Sequence, residues 1–166
     1  MAQLVAGRRT AAEGKDVVVF LIGMRINRLR SVRQWWPVFL AMPRMLAELA
    51  RRPELGLLHA QTFLSGRTIQ VVQYWSSVGQ LHAYALSADL EHLPAWRAFN
   101  RRARGNPAVG IFHETYVVPA SGQESIAVNM PAHGLLAALG SVPVDRRGSA
   151  THGLDPRQAD EETVSA

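Results

Sequence analysis

Hydrophobic residues along this chain fall into short runs whose spacing changes from one segment to the next. Residues 16–24 (DVVVFLIGM) are apolar without alternation, which predicts a strand buried on both faces. Ser31-Val-Arg-Gln34 has capping-box spacing, and beyond it Val38, Met42, Met45 and Leu49 recur at helical intervals. Pro37 and Pro43 lie inside that stretch and predict a kinked or split helix. Residues 57–64 and 68–75 read as two strands joined through Ser65-Gly66-Arg67, a short hairpin connection. Ser77-Val-Gly-Gln80 repeats the capping-box spacing and opens a short helix to about residue 86. Pro94 suits the first turn of another helix running through Trp96 and Phe99 to Ala103, with Arg97, Arg101 and Arg104 on its solvent side. Residues 109–118 (VGIFHETYVV) form a fourth strand, 125–129 a short fifth, and 133–139 one or two helical turns.

The order is β-α-β-β-α-β, the split βαβ arrangement of an α+β, ferredoxin-like domain with an antiparallel sheet. Helices cover one face of such a sheet. The first strand is nevertheless apolar on both faces, and Val71, Tyr74 and Trp75 leave few polar positions in the third. The helix-free face therefore needs a cover, and a second copy of the chain supplies one through a two-fold homodimer of packed sheets. Residues 1–15 lack periodicity and predict a loose leader, and 16–139 the folded domain. The stretch 140–166, with Pro, Gly and acids but no spaced large apolar residues, predicts a tail that is flexible or packed on a partner.

Composition narrows the classes. In 166 residues, 48% are hydrophobic and 19% charged, enough for a real core in one domain. No apolar run approaches membrane-spanning length, no signal peptide opens the chain, and there is no Cys. A soluble cytoplasmic protein is the expectation. The formal charge of +5 resides in residues 16–139, whose arginines bunch at Arg25, Arg28, Arg30 and Arg33 and again at Arg97, Arg101, Arg102 and Arg104. No nucleic-acid motif accompanies these clusters, so nucleic acid is not the expected partner. A GxSxG elbow, a GxGxxG turn, a GKS/GKT loop and an HExxH pair are all lacking, and Glu114 is the only acid in a core strand. Hydrolase, dinucleotide, P-loop, zinc and paired-carboxylate chemistries drop out.

Histidine remains as the group suited to chemistry near neutral pH. In the fourth strand His113 points with Val109, Ile111, Thr115 and Val117, while Phe112, Glu114, Tyr116 and Val118 point the other way. Among apolar neighbours it is a hydrogen-bonded core residue, a general base or a metal ligand. His59, in phase with Gln61 and Phe63, faces the same cavity if the register allows it. His82 reads as surface. His92, before Pro94, either caps its helix or hangs over a cavity mouth. Arg25 and Asn27 end the first strand, where the arginine can hold a carboxylate, a phenolate or a heme propionate and the asparagine can orient oxygen or a carbonyl. Trp75, with Tyr74 and Phe63, is the candidate pocket lining, and Asn129-Met-Pro131 a closure from the C-terminal side.

Several stretches together carry a family resemblance: residues 19–27 (VFLIGMRIN), Trp35-Trp-Pro37 with Met42-Pro43, 62–75, 92–100 (HLPAWRAFN), 110–116 (GIFHETY) and Asn129-Met-Pro131. Over roughly residues 16–139 the chain resembles the DUF4188, fumagillin-pathway monooxygenase-like family of the dimeric α+β barrel superfamily. The resemblance implies a monooxygenase-like oxidoreductase of small-molecule metabolism, acting on an apolar or aromatic substrate in a sheet-lined cavity. Relatives in that superfamily work either without a cofactor or with heme, so the implied cofactor is none or heme. In the cofactor-free form His113 is the base, with Arg25 or Asn27 stabilising an oxyanion. In the heme form, dehydratase- or peroxidase-like, His113 is the axial ligand, His59 the next choice and Arg25 a propionate partner. A non-catalytic ligand-binding dimer is the remaining alternative.

Overall fold

The computed structural model describes residues 4–12, 15–103 and 107–144. Arg104 and the tail beyond residue 144 lie outside them. In chain order the elements are β1 (Val5–Ala11), β2 (Val17–Ile26), α1 (Val32–Arg51), β3 (Leu57–Ser65), β4 (Thr68–Trp75), α2 (Val78–Leu86), α3 (His92–Ala103), β5 (Val109–Val118), β6 (Ala127–Met130), α4 (Leu135–Leu139) and β7 (Ser141–Pro143), with 3-10 turns at Pro53–Leu55 and Ala120–Gly122. The chain divides into two compact units, Val18–Tyr116 and the two flanking segments together.

The unit Val18–Tyr116 is built on a four-stranded sheet of order β3-β4-β2-β5. β4 pairs antiparallel with both β2 and β3, so it lies between the two strands that α1 connects. This is the split βαβ topology expected from the sequence. The β3–β4 hairpin turns at Gly66-Arg67, where Gly66 takes φ +55°, a conformation with no steric cost for glycine.

Register sorts the strand residues by face. Val18, Phe20, Ile22 and Met24 stand opposite Trp75, Gln73, Val71 and Ile69. Val18 and Trp75 pack into a core with Met45 and Leu49 of α1 and Leu81 and Tyr84 of α2, so this is the helix-covered face. The other face carries Val19, Leu21 and Gly23 against Tyr74, Val72 and Gln70, extended by His59, Gln61 and Phe63 of β3. No helix of this unit lies on it. Gly23 lets the sheet accept Phe112 there: a Cβ at position 23 would lie 2.5 Å from two ring carbons. Gly23→Ala is expected to lower stability by about 1–3 kcal/mol, read as a fall in the urea midpoint, because the ring has to leave its place.

Two local expectations change. Of the kinked or split helix expected from Pro37 and Pro43, the split does not occur: α1 continues from Val32 to Arg51. Each proline removes one i→i−4 bond, but the helix is held by its apolar face on the sheet, where Met45 and Leu49 are buried. The two capping boxes also differ. Ser77 Oγ accepts from the Gln80 amide at 3.1 Å, whereas Ser31 makes no side-chain cap. The Ser31 carbonyl instead accepts from Gln34 and Trp35.

In the flanking unit a three-stranded sheet has the order β6-β1-β7, with β1 antiparallel to both neighbours. Residues 5–11, read from sequence as leader, and 141–143, read as tail, are therefore strands. Hydropathy missed them because polar contacts bind them: Arg9 donates to the Ser141 hydroxyl and carbonyl, and Ser125 Oγ accepts from the Ala11 amide. Among the described residues no helix is long and apolar enough to cross a membrane.

Candidate active site

Beneath α1 and α3 the helix-covered face of the four-stranded sheet opens into a cavity of about 720 Å³. The floor is Ile22, Met24, Thr62, Leu64, Ile69, Val71 and Ile111; the walls are residues 36–46 of α1 and the start of α3. Its volume suits a multi-ring organic molecule. Trp36 stacks on Phe39 with ring centroids 5.4 Å apart, and Trp96 on Phe99 at 5.8 Å, each three residues apart on a helix. Both tryptophans remain partly exposed, so these two aromatic pairs mark the cavity's open side.

Few polar side chains reach the cavity: Arg44, Thr62, Glu91 and His92. Of these, His92 is the one whose orientation is set by the fold. Its Nδ1 lies 2.9 Å from the Ala85 carbonyl oxygen. A carbonyl only accepts, so Nδ1 carries a proton, and in the neutral ring Nε2 holds the free lone pair. Tyr84 flanks the imidazole, ring centroids 6.0 Å apart. Glu48 of α1 secures this end of α3 by accepting from Tyr84 Oη at 3.1 Å and from the Glu91 amide at 3.0 Å. His92 thus has a partner that fixes its tautomer and neighbours that fix its helix.

Burial, followed by the Glu48 and Glu91 carboxylates, holds the Tyr84 phenol well above its ordinary range. The folded chain then keeps a proton that the unfolded chain releases above about pH 10, so stability falls as pH rises past that point. Tyr84→Phe is expected to flatten the decline of the urea midpoint above about pH 10, at some loss of stability near neutrality.

Behind His92 a small annex of about 30 Å³ adjoins the main cavity. Ile22, Met42, Met45 and His92 line both spaces. Its polar landmark is Gln73, 4% exposed, whose Oε1 accepts from Trp75 Nε1 at 2.9 Å.

None of the eight residues singled out from sequence lines the main cavity. His113 is exposed on the helix side of β5, its ring 5.7 Å from that of Phe20. His59 faces the opposite side of the sheet beside Tyr74, so the two histidines do not converge. Phe63 shares that opposite face. Arg25 and Asn27 are exposed at the end of β2 and bonded locally, Arg25 to Thr68 Oγ1 and Asn27 to the Pro107 carbonyl. Trp75 is 1% exposed in the core and touches only the annex. Asn129, at φ +53°, accepts from the Gly7 amide within the flanking sheet. Arg25 and Asn27 sit at a strand end and His59, Tyr74 and Phe63 on the helix-free face. His113 and Trp75 are on the helix side of the sheet but outside the lining of the main cavity. His92, read from sequence as a helix cap or a group over a cavity mouth, does line the cavity. Gln73 had a readable signal, a polar residue in phase with Val71 and Trp75 on a core face.

Heme does not fit this arrangement. Exposed His113 does not line the 720 Å³ cavity. In that cavity two propionates would meet one cation, Arg44, and one anion, Glu91. Among the described residues no group of three or more His, Asp or Glu could hold a metal ion.

A four-stranded antiparallel sheet with helices on one face and an apolar cavity beneath them, with one oriented imidazole on its wall, defines an α+β protein of the split βαβ, ferredoxin-like class. The chain belongs to the monooxygenase af470-like family, whose model matches residues 17–135. It is 34% identical over 173 aligned residues to monooxygenase af470 of Aspergillus fumigatus, an alignment covering 91% of this chain. The chain spans 60% of the length of that curated relative. Solved structures similar to it include SnoaB, a cofactor-independent oxygenase from Streptomyces nogalater (13% identity, 61% of this chain and 91% of that one, TM-score 0.43). A dimeric ferredoxin-like protein from Jannaschia sp. CCS1 is another (18% identity, 58% and 97%, TM-score 0.41).

Proposed function

We propose that this chain is a cofactor-free monooxygenase that takes a large apolar, ring-bearing substrate into the cavity and uses His92 as general base. The observation that carries the reading is the imidazole on an apolar cavity wall, its Nδ1 proton committed to the Ala85 carbonyl. An electron-rich substrate with an acidic C–H loses that proton to Nε2. The carbanion then reduces dioxygen, forming a C–O bond and a peroxide anion that takes the proton back from the imidazolium. Loss of the second C–H proton and cleavage of the O–O bond leave a carbonyl and one water. A methylene and one dioxygen thus give one carbonyl and one water, with no external reductant. The apolar walls keep bulk water from the carbanion. Arg25, Asn27 and His113 have no step in this reading.

The test uses anthrone, a flat three-ring compound with an acidic methylene. The purified chain in air is expected to consume one dioxygen per quinone formed and to show no Soret band after exposure to hemin. Binding of anthrone without oxygen uptake would replace this reading with the ligand-binding one.

The helix-free face, which carries Val19, Leu21, Val72, Tyr74 and Phe63, supports a homodimer as part of the same proposal. Light scattering is expected to give twice the chain mass at micromolar concentration, and Leu21→Arg or Val72→Arg to give monomers. A wild-type monomer under those conditions would remove the dimer from the account.

A further inference from the structure

We infer that the annex behind His92 is a separate dioxygen pocket and that the Gln73 amide is its binding group, an inference that rests on the monooxygenase reading. Three observations support it. The first is size. At about 30 Å³ the annex admits a molecule of water or dioxygen dimensions and nothing near the size of the organic substrate.

The second is a weakly engaged donor. Gln73 is 96% buried, on a sheet face otherwise occupied by Val71 and Trp75. Trp75 Nε1 holds its carbonyl oxygen at 2.9 Å, which fixes the amide flip and leaves Nε2 as the other end. Nε2 has two N–H donors and only one recorded partner among the described residues, the thioether sulfur of Met42 at 3.9 Å. Sulfur is a weak acceptor, so a buried amide this poorly satisfied has donor capacity for a ligand. Of the other walls, Phe20, Ile22, Met45, Leu49 and Leu81 are apolar and suit a nonpolar gas, and Tyr84 commits its hydroxyl to Glu48. Dioxygen becomes an acceptor of N–H bonds as it is reduced, so the Gln73 donor acts most strongly on the peroxide anion.

The third is the placement of His92, which lines the annex and the main cavity together. The proton it takes from the substrate on one side is then available to the reduced oxygen on the other. The two C–H protons leave through one imidazole, and both oxygen atoms are accounted for, one in the carbonyl and one in water.

The experiment has two arms on the full chain. In the first, crystals of the wild type under xenon pressure are expected to show xenon beside Gln73, within the annex. An annex holding an ordered water and no xenon would overturn the inference. In the second, Gln73→Leu removes the donor and Leu81→Phe fills the annex from a wall residue that does not hold His92. Both are expected to lower kcat/KM for dioxygen roughly 10²-fold with anthrone as probe, while anthrone binding under nitrogen stays unchanged. An unaltered dependence on dioxygen in both variants would overturn the assignment. Xenon in the annex of a wild type that consumes no oxygen would uphold the gas site and sink the monooxygenase reading, so the two fail separately.

Discussion

His92→Gln is expected to lower kcat on anthrone roughly 10²- to 10⁴-fold, the range lost when a positioned general base is removed. Glutamine keeps much of the side chain's volume and carries no basic nitrogen, so the wall is preserved while the proton acceptor is lost. Binding of anthrone under nitrogen should therefore change by no more than about threefold, which places the defect in the chemical step. His113→Ala should leave the rate near that of the wild type, since its ring is exposed and outside the cavity. Stopped-flow absorbance of anthrone loss checks both. Equal loss of binding and turnover in His92→Gln would make the residue a wall element, and a collapse of rate in His113→Ala would move the chemistry to β5.

Trp75→Ala is expected to be the most destabilising single change, at about 3–5 kcal/mol. The indole is 1% exposed, packs against Tyr84 with ring centroids 5.8 Å apart, and donates to Gln73. Its removal leaves a void between sheet and helices and strands a buried amide carbonyl. Domains of this size are stable by only about 5–15 kcal/mol, so the variant is expected near the limit of folding at 37 °C. Trp75→Phe keeps most of the volume and loses the N–H, which isolates the hydrogen bond as a smaller fall in the urea midpoint. Near-wild-type stability for Trp75→Ala would mean that the core does not close around this residue.

The flanking sheet was hidden for a different reason from the site. Val5–Ala11 owes its pairing to backbone bonds and to Arg9, Ser125 and Ser141, contacts more than a hundred residues apart in sequence that no local periodicity records. The capping box at Ser77 was legible because its bond spans three residues. The box at Ser31 has the same letters and no such bond, since rotamer and entry angle belong to the tertiary context. Family membership was legible from short motifs, and the match over residues 17–135 agrees with it.

What the sequence by itself determined is the order and type of the elements in residues 17–118, because hydrophobic period and turn chemistry act within a few residues. It also determined the alternation within each strand, including that His113 and Ile111 share a face. What only the tertiary structure decided is which of those faces meets a helix and where space is left beneath it. His113 and His59 ended on opposite sides of one sheet, and His92, read from sequence as a helix cap or a group over a cavity mouth, came to stand between a large cavity and a small one. Cavities form where packed elements fail to fill the space between them, and that depends on the placement of α1 and α3 over β2, β4 and β5, across residues distant in the chain.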